Sequence, residues 1–169
     1  MTRRFPCSLS VIGLSRIAVA LMPMRTNPGG EISAESQASP PQILIVDDHD
    51  FTRAAVRRLL EMNRHWQICG EAADGQEAVE AAKRLRPDVI VMDLNMPRMN
   101  GLQAADRISR TVPQSRVLLF TIQESDKLPQ VSQTGIWGVV SKLDAARELP
   151  EAVETVLHGK HYYHDGDGS

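Results

Sequence analysis

Residues 89–101 read VIVMDLNMPRMNG: four apolar residues run into an acid, Asp93, and the chain then breaks at Pro97 and Gly101. A carboxylate at the end of a buried strand is costly unless something pairs with it, so the rest of the chain has to supply a partner. Other polar residues follow apolar runs in the same way. Asp47 and Asp48 follow ILIV (43–46), Thr121 follows VLLF (117–120), and Lys142 comes shortly after GVV (138–140). Three close carboxylates repel one another, and hard oxygen ligands of this kind suit Mg²⁺ that keeps several waters. The ammonium of Lys142 suits a phosphoryl oxygen, and the hydroxyl of Thr121 adds a rotatable donor. Such a set is fitted to phosphoryl transfer onto a carboxylate, with Asp93 as the nucleophile and a cation neutralising the charge that develops.

These residues act together only if the fold brings the strand ends to one rim. The apolar runs are ILIV (43–46), the weaker WQIC (66–69), VIVM (89–92), VLLF (117–120) and GVV (138–140). Several lack alternation, as expected of parallel strands covered on both faces. Between and after them lie helical patterns. Val56, Leu59 and Leu60 share a face in the first, and Ala78, Val79, Ala82 and Leu85 in the second. Leu102, Ala105 and Ile108 mark a third, and Leu149, Ala152, Val153, Val156 and Leu157 the last. A (βα)5 alternation of this length implies a doubly wound α/β domain with right-handed crossovers, whose ligands bind at the carboxyl ends of the strands. Asp93 is then expected to share its pocket with Lys142 and a metal. Asp50 is expected to be the N-cap of the first helix, and Pro97 and Gly101 to shape the loop after the third strand. Residues two apart in a strand face the same side, so Trp137 and Val139 are expected to share a face.

The chain has 169 residues, a net charge of −2, 42% hydrophobic and 24% charged residues. That composition fits one globular domain with some slack and gives no basic surface for nucleic acid. With only Cys7 and Cys69, no disulfide framework is available, which suits a reducing compartment. The first 41 residues differ from the rest. An apolar stretch after two arginines resembles a signal peptide, but Arg16 interrupts it, no small-residue cleavage site follows, and it is too short and broken to span a membrane. An over-extended gene start, with Met22 or Met24 as the initiator, is the expectation. RTNPGGEISAESQASPP (25–41) has almost nothing to bury and reads as a disordered lead-in. The folded part is expected over 42–161, followed by a disordered tail at 162–169. His158, His161 and His164 have a spacing that could ligate a transition metal, although a glycine-rich end lacks the supporting shell such a site needs.

The segments ILIVDDHDFTRAAVRRLLE, GEAADGQEAV, PDVIVMDLNMPRMNG, VLLFT and GVVSK together resemble the receiver domain of two-component response regulators. VDDH, GEAADG and the absence of proline after Lys142 resemble the NarL/FixJ class. The resemblance implies a flavodoxin-like fold with strand order 2-1-3-4-5, a cytoplasmic location, and phosphorylation by a sensor histidine kinase. Asp93 is the implied phosphoacceptor. Asp48, Asp93 and the backbone carbonyl of Asn95 would hold Mg²⁺ directly, with Asp47 acting largely through water. Thr121 and Lys142 would meet the phosphoryl group. The face built from the fourth helical segment around Pro129, the fifth strand and the last helix would contact a downstream protein or form a homodimer.

Several features depart from the family pattern. Val139 stands where a Tyr or Phe is usual, the stretch from Thr121 to Lys142 is one residue short, Pro129 falls inside the fourth helical segment, and Ile122 is large. Trp137 is the expected replacement anchor of the output face. A metal-dependent phosphatase of the haloacid-dehalogenase pattern needs a second Asp two residues after the nucleophile, and here that residue is Asn95. A non-switching interaction module and a truncated transcriptional regulator stay open as alternatives. GKHYYHDGDGS (159–169) is too short for a helix-turn-helix, so this chain as it stands is expected not to bind DNA.

Overall fold

The computed structural model describes residues 39–122 and 135–162. Among them β1 (Gln42–Val46), β2 (Gln67–Ala72), β3 (Val89–Asp93), β4 (Arg116–Thr121) and β5 (Ile136–Ser141) form one sheet. Their order is β2-β1-β3-β4-β5, and every pairing is parallel. The helices are α1 (Asp50–Glu61), α2 (Gly75–Leu85), α3 (Gly101–Thr111) and α4 (Ala145–Leu157). The fourth helical segment expected around Pro129 lies outside the described residues.

Strand periodicity divides the core into two layers. Leu44, Val46, Ile90, Met92, Val117 and Leu119 face α2 and α3, meeting Ala78, Ala82, Ala105 and Ile108. Their alternates Ile43, Ile45, Val89, Val91, Leu118 and Phe120 face α1 and α4, meeting Val56, Leu60, Leu149, Val153 and Val156. A central strand such as β3 is therefore buried at all five positions, which is why VIVMD shows no alternation of polarity.

Two sequence expectations about these elements fail, each through a pairing made elsewhere in the fold. Helix α1 begins at Asp50, and its N-cap is His49. Asp50 is the first helical residue, and its carboxylate pairs with Arg53 one turn on. Trp137 and Val139 do not share a face. Val117 pairs with Ile136 but Leu118 pairs with Gly138, so β5 carries an extra residue at that point. Such a bulge shifts the phase of the strand. Ile136 and Val139 join the layer under α2 and α3, while Trp137 packs with the layer under α1 and α4.

Trp137 is also covered from outside. Its indole stacks on His161, with ring centroids 4.6 Å apart and planes 8° from parallel, and the Arg116 guanidinium lies 5.2 Å from its ring. The chain after α4 returns along the free edge of β5, where Tyr162 N–H donates to Trp137 O (2.8 Å) and Val139 N–H donates to Tyr162 O (3.2 Å). The expected tail therefore begins one residue too early, since Tyr162 still belongs to the sheet edge. Nor does the histidine series gather as a metal site among the described residues: the His158 ring bonds Glu154 O at 2.8 Å, His161 stacks on Trp137, and His164 is outside the described range.

Candidate functional site at the carboxyl ends of the strands

The site is assembled from the ends of β1, β3, β4 and β5. Asp47 directly follows β1, and its N–H still bonds Ala72 O at 3.2 Å, which carries its side chain inward to 1% exposure. Its Oδ1 accepts from His49 N–H at 2.9 Å, turning the chain into α1. Its carbonyl accepts from Arg53 at 2.7 Å. Asp93 ends β3 and is buried, 5% exposed. Beyond it the chain is pulled tight, with Gly101 N–H donating to Leu94 O at 2.9 Å. A Cβ at Gly101 would stand 2.4 Å from Asp93 O, so the start of α3 can approach the phosphoacceptor candidate this closely only as glycine.

Lys142 joins the two acids. Its Nζ lies 2.7 Å from Asp47 Oδ2 and 3.1 Å from Asp93 Oδ2, and 5.6 Å from the Phe120 ring centroid. Ser141 Oγ accepts from Leu143 N–H at 3.2 Å, setting the 3-10 turn Lys142–Asp144 that aims the lysine back over the sheet. Burial pushes the Asp93 carboxyl above the ordinary carboxylate range, against the opposing pull of the Lys142 charge and a hydrogen bond from Asn95 N–H. For Lys142 burial acts downward, but its hydrogen bond to Asp47 and the charge of Asp93 outweigh it and hold the ammonium above its usual value. The lysine is thus charged throughout the neutral range, and the acids it bridges are short of solvent.

The remaining candidates take distinct places. Thr121 is fully buried at the end of β4, in register with Ser141. Asn95 is exposed in the loop after β3, its N–H on Asp93. Asp48 is partly exposed, with its Oδ1 2.8 Å from the His49 ring. Asp47, Asp48 and His49 each present a ligand atom within 4.8 Å of the others, so the acidic cluster could hold a metal ion. A donor set of carboxylate oxygens beside the buried carboxylate of Asp93 fits a hard divalent cation. The sequence reading passed over His49 and Arg53. His49 stood in plain sight beside two acids, but the contact from Arg53 to the Asp47 carbonyl depends on how α1 leaves the sheet.

An open parallel sheet in this order, with its polar residues gathered at the carboxyl rim beside the strand-order switch, defines the flavodoxin-like class. Within it, residues 43–154 match the response regulator receiver domain, and the chain belongs to that family. It is 37% identical over 124 residues to the transcriptional regulatory protein DegU of Brevibacillus brevis, covering 73% of this chain and 52% of that protein. It is 36% identical over 121 residues to the response regulator UvrY of Escherichia coli, covering 71% of this chain and 56% of that protein. The chain thus spans about half the length of the curated relatives it matches. The signal receiver domain of NarL from Mycobacterium tuberculosis superimposes with a TM-score of 0.68 at 31% identity, over 73% of this chain and all of that one. The chain is a receiver domain of the two-component response regulator type, homologous to NarL/FixJ-family regulators. No helix among the described residues is long and apolar enough to cross a membrane.

Proposed function

We propose that the receiver domain, residues 42–162, accepts a phosphoryl group on Asp93 from a sensor histidine kinase in the cytoplasm, with Mg²⁺ bound. The observation that carries this reading is the ammonium of Lys142 held between the buried carboxylates of Asp47 and Asp93. Asp93 attacks phosphorus through a carboxylate oxygen. A P–O bond forms as the P–N bond of a phosphohistidine breaks, and the released nitrogen retains the bonding pair. Lys142 is placed to follow the transferred group, exchanging a carboxylate contact for a phosphoryl oxygen. Thr121 supplies a hydroxyl donor to the same group from the end of β4. Asp48 and Asp93, with the carbonyl of Asn95, would hold the metal, and Asp47 would act through water. When bound, Mg²⁺ supplies positive charge against the anion that develops on the phosphoryl oxygens.

Hydrolysis of the acyl phosphate by water returns the domain to its starting state, so it supports its own phosphorylation and dephosphorylation without being a general enzyme. The β5–α4 side is the proposed surface for a homodimer or a downstream protein. The test is labelling with Mg²⁺ and a small acyl phosphate. Wild type should gain one acid-labile acyl phosphate and Asp93→Asn none. Equal labelling of both proteins would refute the assignment.

A further inference from the structure

The loop between Asp93 and α3 contains an arginine in a conformation that favours glycine. Arg98 has φ +64°, in the left-handed region that L side chains rarely adopt. The other non-glycine residue at positive φ among those described, Arg86, closes α2, an ordinary place for such geometry. Arg98 closes no helix. Its side chain supplies a reason for the strain: the guanidinium meets Oδ2 of Asp74.

Asp74 is fully buried. Its Oδ1 caps α2, accepting from Gln76 N–H at 2.7 Å and Glu77 N–H at 2.9 Å. Oδ2 is buried and accepts no hydrogen bond among the described residues, so the charge of Arg98 is what offsets that side of the buried anion. The neighbouring residue adds a steric lock: a Cβ at Gly75 would stand 2.5 Å from Met99 O, so the start of α2 lies directly against the loop. The same short loop carries Asn95, which donates its N–H to Asp93. The loop that shapes the phosphorylation site is therefore held from α2 by a charge pair and a close backbone approach.

We propose that Arg98 is a positioning residue: seated on Asp74, it fixes the loop that presents Asn95 and so sets the affinity of the site for divalent metal. The inference rests on the reading of Asp93, Asp48 and Asn95 as a metal-dependent phosphorylation site. The effect of Arg98 is on where the Asn95 backbone stands. Arg98→Gly removes the guanidinium while accommodating the positive φ, which separates the ion pair from the backbone conformation. Asp74→Asn keeps an acceptor for the α2 amides and removes the nearer of the two charges that Arg98 meets, leaving Glu77 Oε1 at 3.9 Å. Arg98→Lys keeps a cation.

The full chain and the three variants would be titrated calorimetrically with Mg²⁺ alone, and their labelling rates with acetyl phosphate measured across Mg²⁺ concentrations. Arg98→Gly and Asp74→Asn should weaken Mg²⁺ binding by about tenfold, the low end for residues that support a metal ligand. The labelling rate at saturating Mg²⁺ should stay within about twofold of wild type. Arg98→Lys should recover part of the lost affinity. Unchanged Mg²⁺ affinity in Arg98→Gly would overturn the proposal, as would a lowered saturated rate with unchanged affinity. A lysine variant no better than glycine would overturn its electrostatic basis. If wild type neither binds Mg²⁺ nor labels on Asp93, the underlying reading fails and this proposal falls with it. Binding and labelling in wild type with no effect at Arg98 refutes this proposal alone.

Discussion

Replacing Lys142 by Met keeps most of the aliphatic stem and removes the one charge that bridges Asp47 and Asp93. At an effective dielectric constant near 20, contacts at 2.7 and 3.1 Å each correspond to roughly 5–6 kcal/mol of gross Coulomb attraction. Most of that is offset by stripping water from the three groups, whose side chains are 19%, 1% and 6% exposed for Lys142, Asp47 and Asp93. What the substitution exposes is the cost of leaving anions buried without a partner, on the order of 3–5 kcal/mol when one member of a buried pair is removed. Proton uptake limits it. Asp93 already lies above the ordinary carboxylate range because of burial, and losing Lys142 raises it further, so the folded variant can neutralise itself as pH falls.

The expected loss is thus about 2–4 kcal/mol at pH 7.5 without Mg²⁺. The sign of its pH dependence follows from proton binding. Between the unfolded carboxylate value and the raised folded one, the folded variant binds a proton that the unfolded chain does not, so its stability rises as pH falls toward 5. In wild type Asp93 is already raised, and so is Lys142. Its contribution is fully present below its ordinary value of 10.5 and is lost as pH rises through the folded value. Urea denaturation of both proteins at pH 7.5 and 5.5 measures the difference. A variant as stable as wild type at pH 7.5, or one whose deficit does not shrink at pH 5.5, would refute the bridging role assigned to Lys142.

Three glycine substitutions test the packing at the site, along the β5 edge and after α4. Gly138→Ala would set a Cβ 2.3 Å from Tyr162 O, so the returning chain should leave the β5 edge, with a loss of about 1–3 kcal/mol and faster hydrogen exchange at Val139; unchanged exchange would contradict it. Gly101→Ala, whose Cβ would meet Asp93 O at 2.4 Å, should lower both stability and the rate of labelling. Gly159→Ala, at φ +75° with nothing within 4 Å, should cost only about 1 kcal/mol and leave labelling unchanged. Equal effects of the two on labelling would show that the contact at Gly101 does not position Asp93.

Much of this protein is written in local pattern. The five apolar runs each became a strand, with β2 reaching Ala72 and β5 extending from Ile136 to Ser141. The helical faces read from Val56, Ala78, Ile108 and Leu149 are the ones that meet the sheet. Asp47, Asp93, Thr121 and Lys142 were legible because each follows an apolar strand, and a parallel sheet sends all such ends to one rim. These features depend on residues within a few positions of one another, where the periods of 2 and 3.6 hold.

What depended on distant pairing stayed hidden. The bulge opposite Val117 and Leu118 moved Trp137 to the opposite layer from Val139, because register is a property of two strands and cannot be counted along one. Asp50 yielded the cap position to His49 because Asp47, bonded back to Ala72 on β2, fixes where the chain turns into α1. The bridge of Lys142 to Asp47 spans 95 positions, and the seat of Arg98 on Asp74 joins a loop to the start of another helix. No local rule encodes either contact, since each distance is set by how the strands and helices stack. The residue types limited which chemistry was available, and the stacking decided which charges met.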